Sequence, residues 1–235
     1  MEKLAVIVPA AGAGIRLGMG MNKAFVPLDG VPIIGHCLKM LNDTGLVSRC
    51  VVALGPAELE QGEDLLLALK RDLFPQLDFT VVAGGSERQD SVANALALLD
   101  DDGYIAVHDG ARPFAGKEVF LRTLAAARTY GAAVAAVPVK NTIKVVDANG
   151  LVIATPARNS LRAVQTPQIF AATLLKKAYA FLREHQQAVT DDASVVELYG
   201  GQVAVALGSY ENIKITTPED LALARQILKL GVQKR

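Results

Sequence analysis

Leu4-Ala-Val-Ile-Val-Pro-Ala-Ala-Gly-Ala-Gly-Ile-Arg-Leu-Gly18 is the stretch that decides the fold. Its first six residues are apolar throughout, as expected of a strand covered by helices on both faces of a parallel sheet. Small residues follow at once, so backbone N–H groups are exposed at a strand end, where doubly wound sheets bind phosphate-bearing ligands. Ala10, Ala11, Gly12 and Gly14 let the backbone approach a nucleotide with no side chain intervening. Arg16, and Lys23 beyond it, supply positive charge that a bare turn would not need. The dinucleotide fingerprint does not fit: its third glycine would fall at Leu17, and Gly18 comes one residue late. No Walker-type lysine spacing is present either.

Working outward, strands are expected at 49–54, 79–82, 104–108, 132–137 and 202–207. Helical patterns lie between them, with apolar stripes such as Ile33, Ile34, Cys37, Leu38, Leu41 and Leu65, Leu66, Leu69, Leu73. Further helices are expected at 92–99, 117–130, 171–184 and 219–230, the last opened by Pro218. This alternation predicts an α/β three-layer sandwich, with a mostly parallel Rossmann-like sheet and one domain over residues 1–235. One segment departs from it. Residues 140–147 and 151–155 are β-rich and flank Ala148-Asn149-Gly150, a hairpin signal. A two-stranded arm at about 138–160 has little core of its own and needs a partner surface, for which a second subunit is the expectation.

The composition narrows the partners. Lys plus Arg equals Asp plus Glu at 24 each, so no global field draws nucleic acid or an anionic membrane, and a charged substrate must meet a local cation cluster. Trp is absent and aromatics are 5%, which argues against a base-stacking platform. Apolar runs are strand-sized, not membrane spans. Glu2 and Lys3 lead straight into the first strand, so no signal peptide is expected. Cys37 and Cys50 read as buried free thiols of a cytoplasmic protein, and the histidines show no metal spacing.

Four constellations carry chemistry beside the opening loop. In Val107-His-Asp-Gly-Ala-Arg-Pro113, Asp109 is a hard oxygen ligand at a strand end, suited to Mg²⁺ against a triphosphate, and Arg112 suits phosphate oxygens. The plainer reading is an Asp109–Arg112 pair pinning a loop. In Gly84-Gly-Ser-Glu-Arg-Gln-Asp-Ser-Val92, Gly85 and Ser91 suit a small base, or simply a βα turn with a helix cap. Asn212-Ile-Lys-Ile-Thr216 alternates like a strand, and Lys214 alone would be a solvated cation. In and after the arm come Thr142, Arg158, Thr166-Pro-Gln168 and Thr190-Asp-Asp-Ala-Ser194, where Thr190 suits a helix cap. Together these are the parts needed for phosphoryl transfer.

The order P-A-A-G-x-G-x-R, Lys23, G-G-x-x-R-x-D-S-V, H-D-x-A-R-P, T-P-Q and N-I-K-I-T resembles the 2-C-methyl-D-erythritol 4-phosphate cytidylyltransferases over about Leu4 to Leu228. The resemblance implies a nucleotidyltransferase fold, use of CTP with Mg²⁺ or another divalent cation, and a homodimer whose β-arm reaches the neighbour's site. It also implies a role in the non-mevalonate isoprenoid pathway. By position, Ala10, Ala11, Gly85 and Ser91 correspond to cytosine and ribose contacts. Arg16 and Lys23 correspond to triphosphate ligands, Asp109 to the metal and substrate contact, and Lys214 to the α-phosphate contact. Thr142, Arg158, Thr166, Thr190 and Arg112 correspond to the polyol-phosphate site. Ala24 stands where the family often has Gln, Ser86 where some members have an acid, and Gly110 where Ala is common. The rival readings are a cytidylyltransferase for ribitol 5-phosphate, with the same catalytic motifs, and a nucleotide sensor, which would not require Lys214.

Overall fold

The opening apolar run is the middle of the molecule. The computed structural model describes residues 4–12, 22–100, 102–185 and 187–233, and β1 (Leu4–Pro9) sits inside a seven-stranded sheet. Two short strands, β2 (Pro27–Leu28) and β3 (Val31–Pro32), lead into α1 (Ile33–Thr44) and β4 (Val47–Leu54). Then come α2 (Leu59–Leu73), β5 (Phe79–Ala83), α3 (Arg88–Leu96), β6 (Tyr104–Val107), α4 (Gly116–Tyr130) and β7 (Ala132–Pro138). The arm holds β8 (Val145–Val146) and β9 (Val152–Ala154). After it follow β10 (Arg162–Ala171), α5 (Ala172–His185), α6 (Asp192–Leu198), β11 (Ala204–Leu207) and α7 (Pro218–Gln233). The sheet order is β11-β7-β10-β6-β1-β4-β5. It is parallel except for β10, which runs antiparallel to both β6 and β7.

Alternate residues of the central strands feed two cores, because a strand's side chains point to opposite faces. Val6, Val8, Cys50, Val52 and Ala106 pack with α1, α2 and α4. Ile7, Val51, Ile105 and Val107 pack with α3, α5 and α6. That two-sided burial is why β1 and the buried half of β4, Cys50 to Leu54, are apolar throughout, and it makes the three layers. The chain runs β1, β4, β5 in one direction and then crosses back to β6 on the other side of β1. The carboxyl ends of β1 and β6 therefore frame a topological switch point, where an open α/β sheet has its crevice. A smaller cluster of Val26, Leu28, Ile33, Ile215, Leu221 and Ala224 docks α7 over that end.

Three sequence expectations are corrected. Residues 162–171 form β10, a strand the sequence pattern does not announce; Pro167 falls in the register shift between Val164 and Gln168, where its missing N–H costs no ladder bond. Residues 212–216 form no strand despite their alternation. Thr190 does not cap α6: Asp191 does, its carboxylate accepting from the Ser194 N–H at 3.0 Å. The arm is a separate two-stranded hairpin with its turn at Ala148–Gly150 and side chains of β8 and β9 exposed.

Candidate active site

The strand ends meet over a cleft of about 250 Å³ whose wall includes Ala10, Ala11, Gly12, Lys23, Gly85 and Ser91, and whose floor carries Asp109 and Lys214. Gly14 and Arg16 lie outside the described residues. Lys23 opens a 3₁₀ turn that is held to β1 by a residue the sequence pattern does not mark. The amide nitrogen of Asn22 donates to the Ala10 carbonyl at 2.8 Å and to Glu58 at 2.6 Å, while its oxygen accepts from the Ala24 N–H.

The opposite wall is the turn after β5. A Cβ on Gly84 would meet Ala11 Cβ at 2.5 Å and Ser91 Oγ at 2.8 Å, and one on Gly85 would run into Asp90. Only glycine lets this turn close on the first loop. The buried Ser91 hydroxyl accepts from the Gly85 N–H at 3.1 Å and donates to the Glu87 carbonyl at 3.1 Å. It therefore shapes the loop at its own position. Glu87 and Asp90 complete a reciprocal capping box on α3, and Ser86 donates to Asp90 at 2.7 Å.

The floor is an ion cluster drawn from distant parts of the chain. Asp109 Oδ2 lies 2.9 Å from Lys214 Nζ and 3.4 Å from Arg112 Nε, and Asp109 Oδ1 lies 3.4 Å from Arg88 Nε. Burial alone would raise the Asp109 pKa, but the charges of Lys214, Arg88 and Arg112 outweigh it and hold the carboxyl well below the usual carboxylate range. Arg88 is the member to which the sequence gives no role, although it is the arginine of G-G-x-x-R-x-D-S-V. Its other end donates to fully buried Asp192 at 2.7 Å, which also accepts from Tyr179 Oη at 2.7 Å. Burial opposes the Arg88 charge, yet the two aspartates raise its pKa above the ordinary value.

Lys214 reaches this floor because its irregular segment is tied to the strand-end turn. The Ile215 N–H donates to the Ala111 carbonyl at 2.9 Å, and Arg112 Nη1 donates to the Asn212 carbonyl at 2.8 Å. Buried Asn212 donates to the Thr166 carbonyl at 2.8 Å, which ties in β10 as well. The plainer sequence reading of Arg112 is what this geometry displays: it pairs with Asp109 and pins the loop. Thr166 is buried next to Asp109, its hydroxyl accepting from the Asp109 N–H at 3.0 Å. Thr142, Arg158 and Thr190 are exposed and do not line this cleft. Arg158 donates to the Lys140 carbonyl at 3.0 Å, within the arm.

A floor of this kind neutralises anions and offers no activated side-chain nucleophile. On an open α/β sheet it defines the nucleotidyltransferase class. Within that class the chain belongs to the IspD family, described as 2-C-methyl-D-erythritol 4-phosphate cytidylyltransferase, whose model matches residues 4–230. It is 45% identical over 230 residues to the Bacillus mycoides enzyme of that name, covering 98% of this chain and 99% of the relative. The counterpart from Pelotomaculum thermopropionicum is 42% identical over 230 residues, covering 97% of this chain and 95% of the relative. Among solved structures, the 4-diphosphocytidyl-2C-methyl-D-erythritol synthase of Anaerococcus prevotii superposes with TM-score 0.83 at 28% identity, over 97% of this chain and 99% of that one. The Thermus thermophilus cytidylyltransferase gives 0.78 at 31% identity, with the same shares of each chain.

Proposed function

We propose that this chain transfers CMP from CTP to 2-C-methyl-D-erythritol 4-phosphate, forming 4-diphosphocytidyl-2-C-methyl-D-erythritol and pyrophosphate in the non-mevalonate isoprenoid pathway. The observation that carries this reading is the Asp109–Lys214 pair at 2.9 Å on the cleft floor, beneath a wall of glycine and alanine backbone. A phosphate oxygen of the acceptor attacks the α-phosphorus in line, the bond to the bridging oxygen breaks, and pyrophosphate leaves. Both partners are anions, so charge neutralisation and alignment dominate over nucleophile activation. Lys214 serves the α-phosphate, and Lys23, with Arg16, the remaining phosphates. Ala10, Ala11 and Gly12 let the backbone approach the nucleotide, and the loop that Ser91 shapes around Gly85 receives the small pyrimidine.

The donor set bears on the metal. Among the described residues no group of three or more His, Cys, Asp or Glu is arranged to hold an ion. Two carboxylate residues line the cleft among the described residues: Glu87 is engaged in the α3 capping box, and Asp109 stands on the floor with its pKa held low by the neighbouring cations. That fits magnesium, which binds through one or two carboxylates plus water and substrate phosphates. When bound, the ion would neutralise triphosphate charge; Asp109 is the residue that would hold it.

We further propose that the arm pairs two copies of the chain and that Arg158 and Thr142 serve the partner's cleft, together with Arg112 and Thr190, at the acceptor phosphate. Support comes from Val146, Leu151, Val152 and Ile153, each more than half exposed on a hairpin without a core. A cytoplasmic setting agrees with two buried, unpaired cysteines, and no described helix is long and apolar enough to cross a membrane. Pyrophosphate release across a panel of CTP, UTP, ATP and GTP against 2-C-methyl-D-erythritol 4-phosphate and ribitol 5-phosphate tests the assignment. CTP with the methylerythritol phosphate should give the highest kcat/KM, and chelation should abolish it. Equal rates with ATP, or preference for ribitol 5-phosphate, would overturn it.

A further inference from the structure

His108 directly follows β6 and is fully buried, its ring centroid 5.3 Å from that of Phe120. Neither ring nitrogen faces the cleft. Nε2 lies 2.9 Å from the Arg112 carbonyl oxygen, and Nδ1 lies 3.1 Å from Thr166 Oγ1. The same Thr166 oxygen accepts the Asp109 backbone N–H at 3.0 Å. These contacts decide where each proton sits. A carbonyl oxygen only accepts, so Nε2 carries the hydrogen; in a neutral ring Nδ1 is then an acceptor, and Thr166 must be its donor. The one hydroxyl proton of Thr166 is thereby spent on His108, leaving none to give an anionic substrate. Thr166 acts on Asp109 from behind.

We propose that His108 is a positioning residue of this site: as an Nε2–H imidazole it fixes the Thr166 hydroxyl, which holds the main chain of Asp109, and it anchors the main chain of Arg112. Both charged side chains then leave one rigid turn. The residues after β6, from His108 to Arg112, are in this way tied to β10 through side-chain bonds. A site that works by placing charge against a developing anion is sensitive to such displacements, since an error of an ångström can cost about 10²-fold in rate. The proposal rests on the CMP-transfer reading only for its kinetic readout.

Two-bond ¹H–¹⁵N correlation spectra of histidine-labelled protein test it. The chain has three histidines, and conservative substitution of His36 and His185 assigns them. His108 should show the Nε2–H tautomer with a hydrogen-bonded Nδ1. Thr166→Val should move the Nδ1 resonance to its unbonded position, and Thr166→Ser should restore it. In kinetics, Thr166→Val and His108→Phe should lower kcat by at least about tenfold, with the KM for the polyol phosphate within about twofold, and Thr166→Ser should recover most of the loss. An Nδ1–H tautomer in the wild-type protein would overturn the proposal. So would a Thr166→Val defect carried by that KM at unchanged kcat, which would mean that the hydroxyl meets substrate directly. If His108→Phe does not fold, the wild-type spectrum and the Thr166 pair still decide. If the chain transfers no CMP, the tautomer readout is unaffected.

Discussion

The cleft floor and the arm are built on opposite principles. Asp109, Lys214, Arg88 and Arg112 come from sequence positions as far apart as 126 residues (214 against 88), yet each is fixed by ion pairs and buried hydrogen bonds. The arm runs along one continuous stretch, and its apolar side chains meet solvent: Leu151 is 65% exposed and Ile153 64%. A pre-organised electrostatic floor gains from rigidity, because donors already in place need no reorganisation as charge develops. An apolar hairpin in water gains only by burial against something else. The contrast is between a cleft floor tied down within one chain and a hairpin whose apolar side chains have no cover from that chain.

The sharpest way to break the floor is Lys214→Ala. It should lower kcat by roughly 10²–10³ while CTP still binds, because the charge matters most at the reacting phosphorus. Steady-state kinetics with a separate CTP-binding titration checks this, and activity within about twofold would make Lys214 a solvated cation. Next is Arg88→Gln, which leaves the fully buried Asp192 without its cation. A stability loss of about 2–3 kcal/mol is expected, below the full buried-pair range because part of Arg88 meets solvent, and urea midpoints measure it. For the arm, Val152→Lys with Ile153→Lys should shift the protein from dimer to monomer in sedimentation while its urea midpoint in the monomeric range stays put. A dimer that persists would put the interface elsewhere. The smallest effect belongs to Gly110→Ala. Its Cβ would stand 3.2 Å from Val8 Cγ1 and 3.3 Å from Ala10 Cβ, so a few tenths of an ångström of give are needed. A change under about 1 kcal/mol is expected by the same measurement.

How far the sequence reached follows the same division. The strands β1, β4, β5, β6 and β7 were legible from their apolar runs, such as Cys50 to Leu54 of β4 and Ala132 to Val137 of β7, which two-sided burial requires and which need no knowledge of neighbours. Strand β10 was not, since Thr166-Pro167-Gln168 reads as a loop until the register shift that accommodates the proline is seen. Residues 212–216 misled in the other direction: Asn212 and Ile215 are buried in a clamp, not along a ladder. In the site, Asp109, Lys23 and Lys214 were marked by their motifs. Arg88 stands in the G-G-x-x-R-x-D-S-V motif without a role being legible there, and Asn22 stands in none, because the meaning of a lone Arg or Asn lies in partners far along the chain, such as Asp192 and Glu58.

The central claim is that one chain's floor and another chain's arm make each working site, and subunit exchange tests it most directly. Lys214→Ala and Arg158→Ala homodimers should each be nearly inactive. Co-refolded at equal amounts, about half of the dimers should be mixed, and in each of these one site carries both lesions and the other neither. Pyrophosphate release should then return to roughly one quarter of the wild-type rate. If Arg158 serves its own chain's cleft, every site in every mixture carries one lesion, and no recovery after verified exchange would contradict the account.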